Sequence, residues 1–177
     1  MLDGVVAMLC MTIDHWKSRI NRQFEAKLFE LIMISGNRYT HEITNFEYCL
    51  TPETLVELVP PPVEEEIEER AFVISKSLEM YSKYLSKDVN SRQGAFVNNY
   101  DGADNHCISY FHHYVRDGKY CMNVYVRSMD YDRNFVYDCQ TFNLAYKEVF
   151  DKLEQQYGYV VRSGYIRVFV FSLHSYI

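Results

Sequence analysis

Cys107 is the residue of this sequence best suited to make and break a covalent bond. A cysteine attacks as its thiolate, and a thiolate at neutral pH needs positive charge beside it. Twenty residues on, Arg127-Ser128-Met129-Asp130 puts a guanidinium, a hydroxyl and a carboxylate within four positions. Asp138 follows eleven residues after Arg127, and His174-Ser175-Tyr176 comes later still. Arg38, Arg92 and Arg127 are candidates for a phosphate, because arginine's planar fork suits bidentate contacts. Glu69, on a helix, would share a face with Phe72 and Val73, which suits a half-buried proton shuttle.

Each of these residues also has a plainer reading. A lone cysteine at a strand end is most often a small buried hydrophobe. The arginines could be solvated surface charges, and Glu69 one more member of the acidic run at 64–69. Asp138 could cap the helix that follows it, and His174 and Tyr176 could belong to a frayed terminus. His106, Cys107, His112, His113 and Cys121 contain metal-ligand types. On a strand, however, His112 and His113 point to opposite faces and cannot both join Cys107, so no metal is expected. Five cysteines, an odd number without a CxxC, predict reduced thiols and a cytoplasmic compartment rather than a disulfide framework.

The elements that must position these residues can be traced along the chain. Trp16, Ile20, Phe24 and Leu28 recur every fourth residue, with Leu31 and Ile32 extending the stripe and Gly36 as a stop, which predicts a first helix. His41 to Leu50 is strand-like. After Pro60-Pro61-Pro62, an acidic start and the stripe Val63, Ile67, Ile74, Leu78 and Tyr81 predict a helix to about Leu85. The stretch from Asn90 to Asn105 is polar and irregular. Ile108 to Val115 and Lys119 to Arg127 flank Asp117-Gly118, a two-residue hairpin signal. Pairing Val115 with Tyr120 leaves Cys107 opposite Ser128, so Cys107, Ser128 and Asp130 share a face. Arg127 then points the other way unless a bulge re-aims it. Thr141 to Gln156 reads as a helix and Tyr165 to Leu173 as a last strand.

The 177 residues predict one domain spanning 1–177. A net charge of −6 argues against wrapping a nucleic-acid backbone. The longest apolar run, Val5 to Met11, is too short to cross a membrane.

Taken together, these motifs resemble the thymidylate synthase and deoxycytidylate hydroxymethylase superfamily. There the nucleophilic cysteine precedes an R-S-x-D motif by the same interval. Asn90-Ser91-Arg92 resembles the family's phosphate clamp, and Asn37-Arg38-Tyr39-Thr40 its N-terminal phosphate loop. Glu69-Arg70-Ala71-Phe72 resembles the helix motif that supplies a catalytic glutamate. Ser172-Leu173-His174-Ser175-Tyr176 is similar to the S-L-H-x-Y of the phage hydroxymethylases. Asp138 stands where the synthases have an asparagine that reads uracil and the cytosine enzymes have an aspartate.

The resemblance implies an α/β fold of the α+β type, a mixed sheet with flanking helices. It also implies a homodimer with Arg92 reaching the neighbouring site, and a cytoplasmic enzyme, in the host if phage-encoded. The implied reaction moves a one-carbon unit from 5,10-methylenetetrahydrofolate to C5 of a pyrimidine deoxynucleoside monophosphate. The preferred substrate is dCMP, giving 5-hydroxymethyl-dCMP; dUMP methylation is disfavoured by Asp138. In this reading Cys107, Glu69 and Asp130 are catalytic. Arg38, Arg92 and Arg127 hold phosphate, Ser128 touches phosphate or base, Asp138 reads the base, and His174 and Tyr176 bind the 3′-hydroxyl. The chain departs from the family in the segment that contacts folate. Only about twenty residues separate Glu69 from Arg92, and the sole tryptophan lies far upstream. A non-catalytic protein that kept the fold and the nucleotide pocket is therefore the alternative.

Overall fold

The computed structural model describes residues 12–25, 30–34, 38–52, 65–98 and 107–176. Helix α1 (Ile13–Glu25) precedes strands β1 (Glu30–Ile34) and β2 (Arg38–Leu50). Helix α2 (Glu65–Met80) ends in a wide π-helical turn, Tyr81–Leu85. Then come β3 (Ala95–Val97), β4 (Ile108–Arg116), β5 (Lys119–Asp130), α3 (Phe135–Tyr157) and β6 (Arg162–Tyr176). The strands form one six-stranded sheet in the order β1-β2-β6-β5-β4-β3. Its ladders are antiparallel except β5 with β6, which run parallel because α3 carries the chain back between them. The chain is thus α+β, with a mixed sheet and helices.

All three helices pack against the same face of the sheet. Tyr120, Met122, Val124 and Val126 of β5 and Ile166, Val168 and Val170 of β6 alternate onto that face and are buried. They meet Phe135, Phe142, Val149 and Leu153 of α3 and Val73 of α2 in one core. Each such side chain contributes roughly 1.5–3 kcal/mol by leaving water, so this face dominates stability. The other face carries Tyr110, Tyr125, Phe169 and Phe171. Tyr125 and Phe169 stack at 4.5 Å, and Phe171 is 54% exposed. No described helix covers it.

His113 is buried beneath α2, with Nδ1 2.6 Å from the Tyr120 hydroxyl and Nε2 2.9 Å from Ser77 Oγ. Burial, and to a lesser degree the neighbouring His112, push its pKa down to about 3. The folded protein therefore holds this imidazole neutral, whereas the unfolded chain protonates near pH 6.5. Stability is expected to fall as pH drops from 6.5 toward 3, by up to ~1.4 kcal/mol per pH unit. Urea midpoints between pH 7 and 5 check this: wild type should slope downward, and His113→Gln should lose most of that slope.

Several elements differ from expectation. The described first helix spans Ile13–Glu25, and Leu31 and Ile32, expected to extend its stripe, belong to β1. An apolar run that extends a helical stripe also suits a strand, and pairing with β2 decides it here. The polar 90–105 segment contains β3, recruited by β4. Gly94 is held so close to the backbone of His113 that an added Cβ would sit 2.4 Å from its carbonyl oxygen. Helix α3 begins six residues before Thr141, and its N-cap is Asn134; Asp138 is therefore not the cap. Cys49 is disulfide-bonded, against the expectation of reduced thiols, whereas Cys107, Cys121 and Cys139 are thiols. Leu28, Gly36, Asn37, His106 and the 60–62 prolines lie outside the described residues.

Candidate functional site

The hairpin forms around Asp117 and Gly118, both at positive φ (52° and 68°), with Val115 opposite Tyr120 as the turn chemistry requires. Nearer the start of β4, the register slips by one between Ile108 and Tyr110. Ile108 therefore faces Val126, and the Arg127 N–H donates to the Cys107 carbonyl at 2.8 Å. Cys107 stands opposite Arg127, not Ser128 as the uninterrupted register predicts. A bulge inserts one unpaired residue, and Ser109 is that residue here.

The slip recurs on the neighbouring strands. Core-facing positions on β5 run to Val126 and resume at Met129. On β6 they run to Val170 and resume at Leu173; on β2 Phe46 is followed by Ile43, with Asn45 between them at φ 52°. Thr44 pairs with Ser172 and Ser172 with Ser128, so the slips lie side by side. Each leaves two adjacent residues outside the core. Arg127 and Ser128 can thus both face away from the helices, which removes the conflict between Arg127 and its motif neighbours.

Beyond the slip, the parallel strands set the motif in rows. Asp130 lies beside His174, and Glu42 of β2 lies beside His174 on the other flank. Ser128 Oγ is 3.3 Å from His174 Nδ1, and the His174 and Tyr176 rings meet edge to face at 5.1 Å. His174 and Tyr176 are strand residues, not a frayed end. Asp130 Oδ1 accepts the N–H groups of Asp132 (3.0 Å) and Arg133 (3.1 Å), which fixes the carboxylate at the turn. Cys107, half-buried, packs on the edge of the core. These residues lie at the carboxyl ends of the parallel pair, where open sheets with crossover helices offer a ligand crevice.

Asp138 and Glu69 approach the same end from the helical side. Asp138 is in the first turn of α3 and 9% exposed, beside Cys139, whose thiol lies 3.4 Å from the Tyr48 hydroxyl. Glu69 is half-buried with Oε1 shielded from solvent. The next residue, Arg70, stacks 3.8 Å over the Tyr137 ring and donates to Thr141 Oγ1 and the Tyr137 carbonyl. That contact ties the start of α2 to the turn of α3 that carries Asp138.

Arg92 stands apart from this group. Its backbone lies beside the His112 ring, and Arg116 donates to the Asn90 carbonyl. His112 is five residues up β4 from Cys107, roughly 17 Å at 3.3–3.4 Å per residue. The exposed Arg92 side chain therefore does not complete the site of its own chain. The backbone of Arg38 begins β2 at the site's end of the sheet, two residues before Thr40, which pairs with Tyr176. Glu42 and Asp132 border the site without a local motif to announce them, and Ser175 fills the unspecified position of S-L-H-x-Y; their neighbours come from strand pairing across the chain.

Among the described residues, no cluster of histidine, cysteine and carboxylates is arranged to hold a metal ion, and no helix is long and apolar enough to cross a membrane. The sequence matches no protein-family model and no curated protein sequence.

Proposed function

We propose that this strand-end site binds a pyrimidine deoxynucleoside monophosphate and activates its C5, with dCMP as substrate and one-carbon transfer to C5 as the reaction. The observation that carries the reading is the placement of Cys107 opposite Arg127, with Ser128, Asp130, His174 and Tyr176 on the adjoining parallel strands. Arg127 would hold the phosphate with its fork and supply positive charge beside the thiol. Cys107 Sγ, as thiolate, would bond to C6, and the electron pair of the C5–C6 double bond would make C5 nucleophilic. C5 would then attack a one-carbon electrophile. Loss of the C5 proton to water through Glu69 would expel the donor's carrier and leave an exocyclic methylene. Water would add to that carbon as the C6–S bond breaks, which restores the double bond and gives the hydroxymethyl group.

The resemblance names methylenetetrahydrofolate as the donor, but the described residues do not offer a tryptophan surface for stacking folate of the family's kind. Trp16 is 3% exposed, packed against Phe46 and Tyr48, with its ring N–H on the Cys49 carbonyl at 2.7 Å. That observation favours a second reading, a protein that binds the nucleotide without turning it over. Calorimetric titration with dCMP separates both readings from an unrelated function. Saturable binding that weakens at least tenfold in Arg127→Ala supports a nucleotide site; absence of binding to wild type removes it.

The open sheet face is proposed as the contact between two copies. It carries exposed aromatics and an open hollow of about 580 Å³ lined by Val97, Tyr110, Tyr125 and Phe171. Arg92, remote from its own site, would reach the site of the second copy. Sedimentation at micromolar concentration should give a twofold homodimer. Arg92→Ala should keep the dimer and weaken dCMP binding about tenfold; a monomeric wild type contradicts a shared site.

A further inference from the structure

The Asp130–Asn134 turn between β5 and α3 is bound to the end of β6 at two points. The Tyr131 N–H donates to the His174 carbonyl at 2.8 Å, and Ser175 Oγ donates to Asp132 Oδ2 at 2.6 Å. The turn itself is held firmly. Asp130 Oδ1 closes it from within, and the Asn134 N–H donates to the Asp130 carbonyl at 2.9 Å. The Tyr131 ring packs between Phe24 and Phe135, and its hydroxyl donates to Asn21 Oδ1 at 2.5 Å. Ser175 sits between His174 and Tyr176, and on a strand its side chain points opposite to theirs. Fixing Ser175 on one face therefore fixes the direction of both neighbours on the other.

We propose that Asp132 and Ser175 are positioning residues, a latch that presents His174 and Tyr176 to the sugar 3′-hydroxyl. The proposal rests on the nucleotide reading above and extends it to Asp132, outside every motif that suggested it, and to Ser175, the unspecified position of S-L-H-x-Y. Without the latch, the last residues of β6 keep their ladder to β2, through Thr40 with Tyr176 and His41 with Ser175, but lose the side-chain anchor toward β5. The two rings then sample several orientations, and a hydrogen bond that needs one orientation weakens.

The test compares dCMP with 2′,3′-dideoxy-CMP by calorimetry on the full chain. Wild type should prefer dCMP about tenfold, the worth of one hydrogen bond of ~1.4 kcal/mol. Ser175→Ala, Asp132→Ala and the double variant should each reduce that preference to about threefold or less. Asp132→Asn, which keeps an acceptor oxygen, should retain it. General destabilisation would lower both affinities and leave their ratio unchanged, so the ratio isolates positioning. Asp132 lies on an exposed turn, which makes its variants the safeguard if Ser175→Ala folds poorly. A full tenfold preference in the alanine variants overturns the latch and leaves the nucleotide reading standing. Equal wild-type binding of the two nucleotides also overturns it, and no wild-type binding of dCMP overturns the nucleotide reading together with the latch.

Discussion

Cys107→Ser should abolish release of the C5 proton from bound dCMP while leaving dCMP affinity within about threefold of wild type. In the proposed reaction the thiol would bond to the nucleotide only along the reaction path, whereas Arg127, Ser128, His174 and Tyr176 would hold the ground state. A serine hydroxyl at neutral pH is a far weaker nucleophile than a thiolate, so the loss should be on the order of 10³-fold or more. The substitution is nearly isosteric at a half-buried position on the rim of the core, so folding should survive it. Tritium release from 5-³H-dCMP beside calorimetric titration separates the two effects. A variant that exchanges the proton as fast as wild type removes Cys107 from the chemistry; a variant that no longer binds dCMP makes it a ground-state contact instead.

Asp138→Asn should exchange the preference between dCMP and dUMP. Cytosine presents an amino donor at C4 and a bare N3; uracil presents a carbonyl and an N3–H. A carboxylate accepts from the amino group, while an amide can accept from N3–H and donate to the carbonyl. Each mismatched pair leaves a buried polar group unsatisfied, at a cost on the order of 1–3 kcal/mol, so the ratio of affinities should move by roughly tenfold or more. Asp138 is 9% exposed in the first turn of α3, where substitution by a side chain of the same shape disturbs little else. Equal binding of the two nucleotides in both proteins would remove the base-reading role. Because Asp138 approaches from the helical side and His174 from the opposite side, this variant also tests whether one ligand spans the end of the sheet.

What the sequence made legible follows the range of the forces involved. The Asp117-Gly118 hairpin could be read because two adjacent residues carry its turn, and its first pairs form as expected. The R-S-M-D motif and the His174-Ser175-Tyr176 triplet could be read as chemistry, and the parallel β5–β6 pair sets them side by side. β1 and β3 were not legible, because each becomes a strand only through a partner elsewhere in the chain. The slip at Ser109 and its companions on β2, β5 and β6 leave no local signature either. An extra residue between two buried ones looks like ordinary alternation until the neighbouring strand is placed beside it. That slip matters most for the site, since it turns Arg127 to the side of Ser128 and sets it opposite Cys107. The early start of α3 was hidden by the aromatic residues of Phe135-Val136-Tyr137, which suit a strand as well as a buried helix.

Activation of C5 of a cytosine nucleotide at this site is tested most directly by tritium release from the wild-type protein. 5-³H-dCMP and 5-³H-dUMP are offered in parallel, with and without methylenetetrahydrofolate. Release from dCMP should exceed release from dUMP and should disappear in Cys107→Ser. Protein that binds dCMP yet releases no tritium from it at saturating folate would contradict the account and leave a nucleotide-binding protein in its place.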